Sequence, residues 1–240
     1  MQRDCLFSGY MLDFASRGKY EHKVGGSCAI NGATCPNCEL PLMLHLRLDL
    51  SDERIKIASV CQTLFPLLYC GRCSLSWHPF VYTVIDDKTI KIAKVFRGPR
   101  QWAEWYSCVG ADYFEERHCD LNPIPVRMQT ICDKLNRGLA LADEEVSYFA
   151  SLTDSYAAPA CGGYPIVDVF SQVGGRSFLA QRLDDPQCNV CMSNGVRQTM
   201  QFLCSLVNDP KHGIRFSFDG VQIVYFYCQR CNSVQVVHSV

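Results

Sequence analysis

Cys35-Pro36-Asn37-Cys38 is answered, 31 residues later, by Cys70-Gly71-Arg72-Cys73. The arrangement returns as Cys188-Asn189-Val190-Cys191 and Cys228-Gln229-Arg230-Cys231, now 36 residues apart. These four C-x2-C pairs use eight of the sixteen cysteines, where random scatter would give about one pair. Two intervening residues let a tight turn aim both sulfurs at one point, about 2.3 Å from each, and four thiolates are the ligand set of structural zinc. Pro36 and Gly71 suit such turns, one by fixing φ and the other by permitting positive φ. The spacing therefore predicts one zinc on Cys35, Cys38, Cys70 and Cys73 and a second on Cys188, Cys191, Cys228 and Cys231. Four thiolates on one Zn²⁺ carry a net charge of about −2, which neighbouring donors offset. Arg72 and Arg230, each just before the last cysteine of its quartet, are candidates for that role; the plain alternative is two surface arginines.

The segments between the knuckles read as strands. Leu42, Leu44, Leu46, Leu48 and Leu50 alternate with Met43, His45, Arg47 and Asp49, the period of a half-buried strand, which puts His45 on the solvated face. Residues 64–69 form the strand into the second knuckle, and residues 77–85 and 89–96 a hairpin around Asp86-Asp87-Lys88. In the second half, residues 199–207 alternate, with Met200, Phe202, Cys204 and Leu206 on one face. Residues 214–218 and 221–227 make a hairpin through Asp219-Gly220, and residues 234–240 a last strand. Val24-Gly25-Gly26 stands before the first knuckle as Val173-Gly174-Gly175 stands before the third. Residues 126–137 predict a helix burying Met128, Ile131, Cys132 and Leu135 and stopping at Gly138. Residues 143–152 predict another, capped by Asp143 and turning Val146, Phe149 and Ala150 inward. The expected fold is α+β and mostly antiparallel: two pseudo-repeated, zinc-ribbon-like halves, residues 1–110 and 161–240, joined by a helical connector, residues 111–160.

Composition bounds the rest. The 240 residues are 48% hydrophobic and 20% charged with a net charge of −1, a globular balance with no bulk attraction to nucleic acid or anionic membrane. No apolar run reaches membrane-spanning length, and residues 1–16 make a poor signal peptide. Sixteen cysteines could staple a secreted scaffold, but no Asn-x-Ser/Thr sequon follows any of the eight asparagines, and matched C-x2-C quartets suit metal better than bridges. A reducing, cytoplasmic setting is expected, with the nucleus also open. Cys5, Cys28, Cys61, Cys108, Cys119, Cys132, Cys161 and Cys204 share no spacing and read as small buried apolar residues.

The order Gly-Gly, C-x2-C, strand, C-x2-C, found twice, resembles the family of programmed cell death protein two, and is similar to the bacterial YwqG-like proteins. Ile92-Ala93-Lys94-Val95-Phe96-Arg97, Pro99-Arg100 and Trp105-Tyr106 look like the segment that follows the first cysteine cluster in the eukaryotic group. The resemblance covers residues 24–106 and 172–240. The glycine common after a first knuckle in that family is replaced here by Glu39 and Met192. What the resemblance implies is a protein-binding, chaperone-like role toward a ribosomal protein.

Three functions compete. A zinc-stabilised protein-interaction module follows from closed four-thiolate sites, which leave no coordination position for substrate. RNA binding is the alternative: Lys88, Lys91, Lys94, Arg97 and Arg100 carry no acid between them and lead into Trp102 and Trp105, cations and aromatics that could hold phosphates and stack bases. Spacing of three, however, does not keep one face of a strand. An enzyme is the third. No nucleophile elbow, metalloprotease motif or phosphate loop occurs, and the nearest catalytic look-alike, His118-Cys119, joins neighbours that point to opposite faces of a strand. No catalytic residue is predicted.

Overall fold

A computed structural model of the chain describes residues 6–61, 63–70, 80–95, 115–153, 170–178, 186–214 and 222–239. Its elements are β1 (Tyr10–Asp13), β2 (Lys23–Val24), β3 (Met43–Asp49), β4 (Leu64–Tyr69), β5 (Phe80–Asp86), β6 (Thr89–Val95), β7 (Arg117–His118), β8 (Asp120–Pro123), α1 (Val126–Asn136), α2 (Asp143–Thr153), β9 (Gln172–Val173), α3 (Asn189–Ser193), β10 (Gln201–Leu206), β11 (Gln222–Cys228) and β12 (Ser233–Ser239). Eight strands form one sheet in the order β6-β5-β12-β11-β10-β9-β1-β8, and four form a second in the order β4-β3-β2-β7. Every strand pairing is antiparallel. The α+β class is as expected. Strands from residues 10–95 and from residues 172–239 share the larger sheet.

The two sheets face each other across one core. Leu44, Leu46, Leu48, Phe65 and Leu67 of the small sheet join a single cluster with Tyr82, Cys204, Tyr225, Tyr227 and Val236 of the large one. Burying tyrosine hydroxyls in such a core requires partners, and Tyr82, Tyr225 and Tyr227 have them. Tyr82 donates to Pro66 O (3.2 Å) while accepting from the Leu68 N–H (3.0 Å). Tyr227 reaches Asn232 Oδ1 (2.5 Å), and Tyr225 Oη lies 3.0 Å from His45 Nδ1.

Two β-bulges change how the strands read. Pairing of β3 with β4 skips from Leu44 to Leu46, and pairing of β10 with β11 skips from Phe202 to Cys204. The extra residue is left out of the ladder and bends the strand locally. His45, expected in solvent, is the bulged residue and is fully buried, its ring 4.7 Å from that of Tyr69. The stripe from Met200 to Leu206 is also split. Met200 and Phe202 pack around the C-terminal cysteines, whereas Cys204 and Leu206 join the inter-sheet core.

The helices match their forecast closely. In α1, Met128, Ile131 and Cys132 are buried, and Gly138 follows the Arg137 cap at φ +68°. In α2, Phe149 is buried, but Asp143 stands in the first turn and the cap comes from Glu145, whose carboxylate accepts the Ala142 N–H (3.0 Å). Both helices pack with Phe170 and Phe178 in a separate cluster. No helix among the described residues is long and apolar enough to cross a membrane.

Candidate metal centres

β11 delivers Cys228 at its last position and β12 leaves from Ser233, so the knuckle between them is a four-residue turn. Asn232 closes it in the left-handed region, φ +56°. The facing knuckle is the start of α3. Cys188 is the N-cap residue, its carbonyl accepts the Met192 N–H (2.9 Å), and the Asn194 and Val196 N–H groups return to Cys191 O. The four sulfurs all lie within 4.8 Å of one another, with Cys188 to Cys231 at 3.4 Å and Cys191 to Cys228 at 3.7 Å. A disulfide needs about 2.05 Å, and all four cysteines are free. The edge of a tetrahedron around a metal 2.3 Å from each sulfur is about 3.8 Å, so this set fits one tetrahedral ion. Cys188, Cys191 and Cys228 are buried, and Cys231 is partly exposed.

The N-terminal cluster is built differently. The Glu39 N–H bonds to Cys35 O (2.9 Å), the Cys35 N–H to Leu40 O (2.8 Å), and the Asn37 N–H points at Cys35 Sγ (3.4 Å). Glu39 takes φ +60°, a conformation that glycine adopts most freely. Cys70 follows the end of β4 directly, and its sulfur lies 3.6 Å from that of Cys38. Cys35, Cys38 and Cys70 form a trio within 4.8 Å that could hold a metal ion. Cys73 and Arg72 lie outside the described residues.

Electrostatics separates the thiols. Without metal, burial pushes Cys188 well up and Cys191 up to about 11. Burial also acts on Cys231, yet Ser233, 3.1 Å from its sulfur, and the neighbouring thiols bring it below the usual thiol range. Arg230 is exposed on the turn and makes no hydrogen bond to a sulfur among the described residues. A cation does approach from another strand: Lys94 Nζ donates to Asn189 Oδ1 (2.9 Å), between Cys188 and Val190. Sequence reasoning missed this contact, because only the fold brings β6 against α3.

Lys88, Lys91 and Lys94 are exposed on the β5–β6 hairpin. The expected split of a three-residue spacing does not occur. β6 pairs Ile92 with Tyr82 and Lys94 with Val81, leaving Ala93 bulged, so Lys91 and Lys94 share a face. Arg97, Arg100, Trp102 and Trp105 lie outside the described residues.

A buried ionic group also went unread. His22 and Asp52 are fully buried, with His22 Nε2 2.8 Å from Asp52 Oδ2 and the Asp49 N–H donating to His22 Nδ1 (3.0 Å). Arg54 binds both Asp52 oxygens through Nε and reaches Asp120 and Leu121 O on β8. Burial pushes the Asp52 carboxyl up, but the bonds from Arg54 and His22 outweigh it and hold it below its usual range. Every member has a partner, which marks a clasp between the loop after β3 and strand β8. His118, at the end of β7, is half-buried, and Cys119, between β7 and β8, is fully buried. A cavity of about 450 Å³ lies against α1 and the Gly174–Gly175 turn. Its ionisable lining is the Arg176–Asp133 pair (2.7 Å) and the Cys132 thiol, which burial pushes up to about 12, a poor nucleophile at neutral pH.

No family model, curated protein or solved structure matches the chain.

Proposed function

We propose that the chain is an intracellular protein-interaction module held together by two structural zinc ions, acting in a chaperone-like way toward a ribosomal or other client protein. The observation that carries this reading is the C-terminal cluster. Four mutually contacting thiols, three of them buried, make a closed site that shapes the fold and leaves no position for a reacting ligand. Zinc is the fitting ion because it is tetrahedral, redox-inert and thiophilic. Cys73 would complete the N-terminal trio. Twelve free cysteines among the described residues agree with a reducing compartment, and the client class comes from the resemblance to the family of programmed cell death protein two.

The test is native mass spectrometry of the reduced chain, followed by recovery of partners on the full-length protein. Two zinc ions per chain and one stoichiometric protein partner, lost on chelation, are expected. A zinc-free folded chain, or partner binding indifferent to chelation, rejects the reading. RNA binding stands second because Lys91 and Lys94 share a face; a labelled single strand whose binding weakens steeply with salt would favour it.

A further inference from the structure

Each Gly-Gly pair sits in the same hydrogen-bonded setting. Val24 pairs with Leu46, and the Gly25 N–H donates to His45 O (3.2 Å). Val173 pairs with Cys204, and the Gly174 N–H donates to Leu203 O (2.8 Å). The acceptor in both cases is the bulged residue of the following strand. The match continues on the far side of β2 and β9. Arg117 and His118 pair with Val24 and Lys23, and the Cys119 N–H bonds to His22 O (3.0 Å). Tyr10 and Met11 pair with Val173 and Gln172, and the Leu12 N–H bonds to Ser171 O (3.0 Å). Two four-stranded units, β4-β3-β2-β7 and β11-β10-β9-β1, therefore agree strand by strand.

The chain order is crossed. β1 precedes β2 but completes the unit of β9, whereas β7 precedes β9 but completes the unit of β2. We infer that the chain is two copies of one unit that have exchanged their leading strands, and that this exchange makes the two metal centres a single zinc-responsive switch. This rests on the zinc reading above. Neither unit has a full sheet without a strand from the other half, so disorder in the sheet of one half removes the pairing partner of a strand that belongs in sequence to the other. A second tie reinforces the first. β5 follows the segment of the second knuckle, β12 follows Cys231, and the two pair through Ser233 with Thr83, Val234 with Tyr82 and Gln235 with Val81. The Arg54 clasp fixes β8, which pairs with β1, to the loop after β3. Coupling of this kind favours the empty and the fully loaded chain over the half-loaded one, because a two-state element biased by both sites carries it.

The experiment titrates the reduced, metal-free full chain with zinc, reading bound ions by native mass spectrometry and amide protection of β3 and β10 by hydrogen exchange. The expected result is a scarcity of one-zinc chains, protection gained together in both strands, and a Hill coefficient approaching about 2, the limit for two coupled sites. A dominant one-zinc chain with one strand protected and the other open overturns the inference while leaving the zinc reading standing. A folded chain that takes up no zinc fails the zinc reading itself, and the switch with it. The variant Cys228→Ser/Cys231→Ser should lose protection in β3 as well as β10. Undiminished protection of β3 in that variant also overturns the inference.

Discussion

Acid should unfold this protein through two histidines before its carboxylates come into play. His45 is fully buried, and burial, aided by repulsion from His238, holds it down to about 3. Burial alone takes His238 down to about 4. An unfolded histidine titrates near about 6.5. Both rings are therefore neutral in the fold and would charge on unfolding, so the stability they contribute is complete above about pH 6.5 and is lost as pH falls toward their folded values. Each costs about 1.4 kcal/mol per pH unit in that window, hence about 2 kcal/mol at pH 5 for the fully buried His45. His238 keeps an accessible edge and contributes less. A domain's whole margin is about 5–15 kcal/mol, so the effect is measurable by urea denaturation at several pH values. The comparison protein is His45→Phe with Tyr225→Phe, which removes the titrating ring and the hydroxyl it bonds. Acid would also reprotonate any metal-bound thiolates, but equally in both proteins, so that contribution would leave the difference of slopes untouched. The wild type should lose stability faster by about 1.4 kcal/mol per pH unit. Parallel slopes between pH 6.5 and 5 would refute the reasoning.

Other outcomes follow from particular contacts. Gly175 has φ +69°, and a Cβ there would sit 2.5 Å from Gly9 Cα, so Gly175→Ala should lower stability by about 3 kcal/mol or more. Gly195→Ala, at φ +75° with open space around it, should cost only about 1–2 kcal/mol, and thermal melts would rank the pair. Arg54→Met strands the buried Asp52 and should cost about 3 kcal/mol by equilibrium denaturation, whereas Arg17→Met, which breaks an exposed pair with Glu21, should change nothing measurable. Arg230→Gln should leave zinc retention against a chelator unchanged because the side chain touches no sulfur, while Cys228→Ser should release the metal.

The cysteine knuckles were legible because ligand spacing is a local property: residues 228–231 need only one turn to aim two sulfurs. The strands of residues 64–69 and 89–95 were legible for a similar reason, since apolar period and turn residues act within a few positions. His45 and Leu203 were not, because a bulge is decided by what pairs with the strand, and the glycines whose N–H groups bond to these carbonyls lie 20 or more residues away. His22, Asp52, Arg54 and Asp120 are four ordinary polar residues in sequence. Their meeting depends on β8 returning beside β1, and no spacing announces it. Lys91 and Lys94 show the converse, a pattern discounted on ideal strand geometry that one irregular residue restores.

The crossing of β1 also bears on how the chain is made. β1 leaves the ribosome well before its partner β9, which is about 160 residues further along. At the usual rate of synthesis, about 5–20 residues per second, that interval is roughly 10–30 s. For about the first two thirds of it, until β8 is made, the hydrophobic edge formed by Tyr10, Met11 and Leu12 has neither β8 nor β9 to pair with. Such long-range closures fold slowly and expose sticky intermediates. The nascent β1 segment is thus a part of this protein that needs shielding while the rest is made.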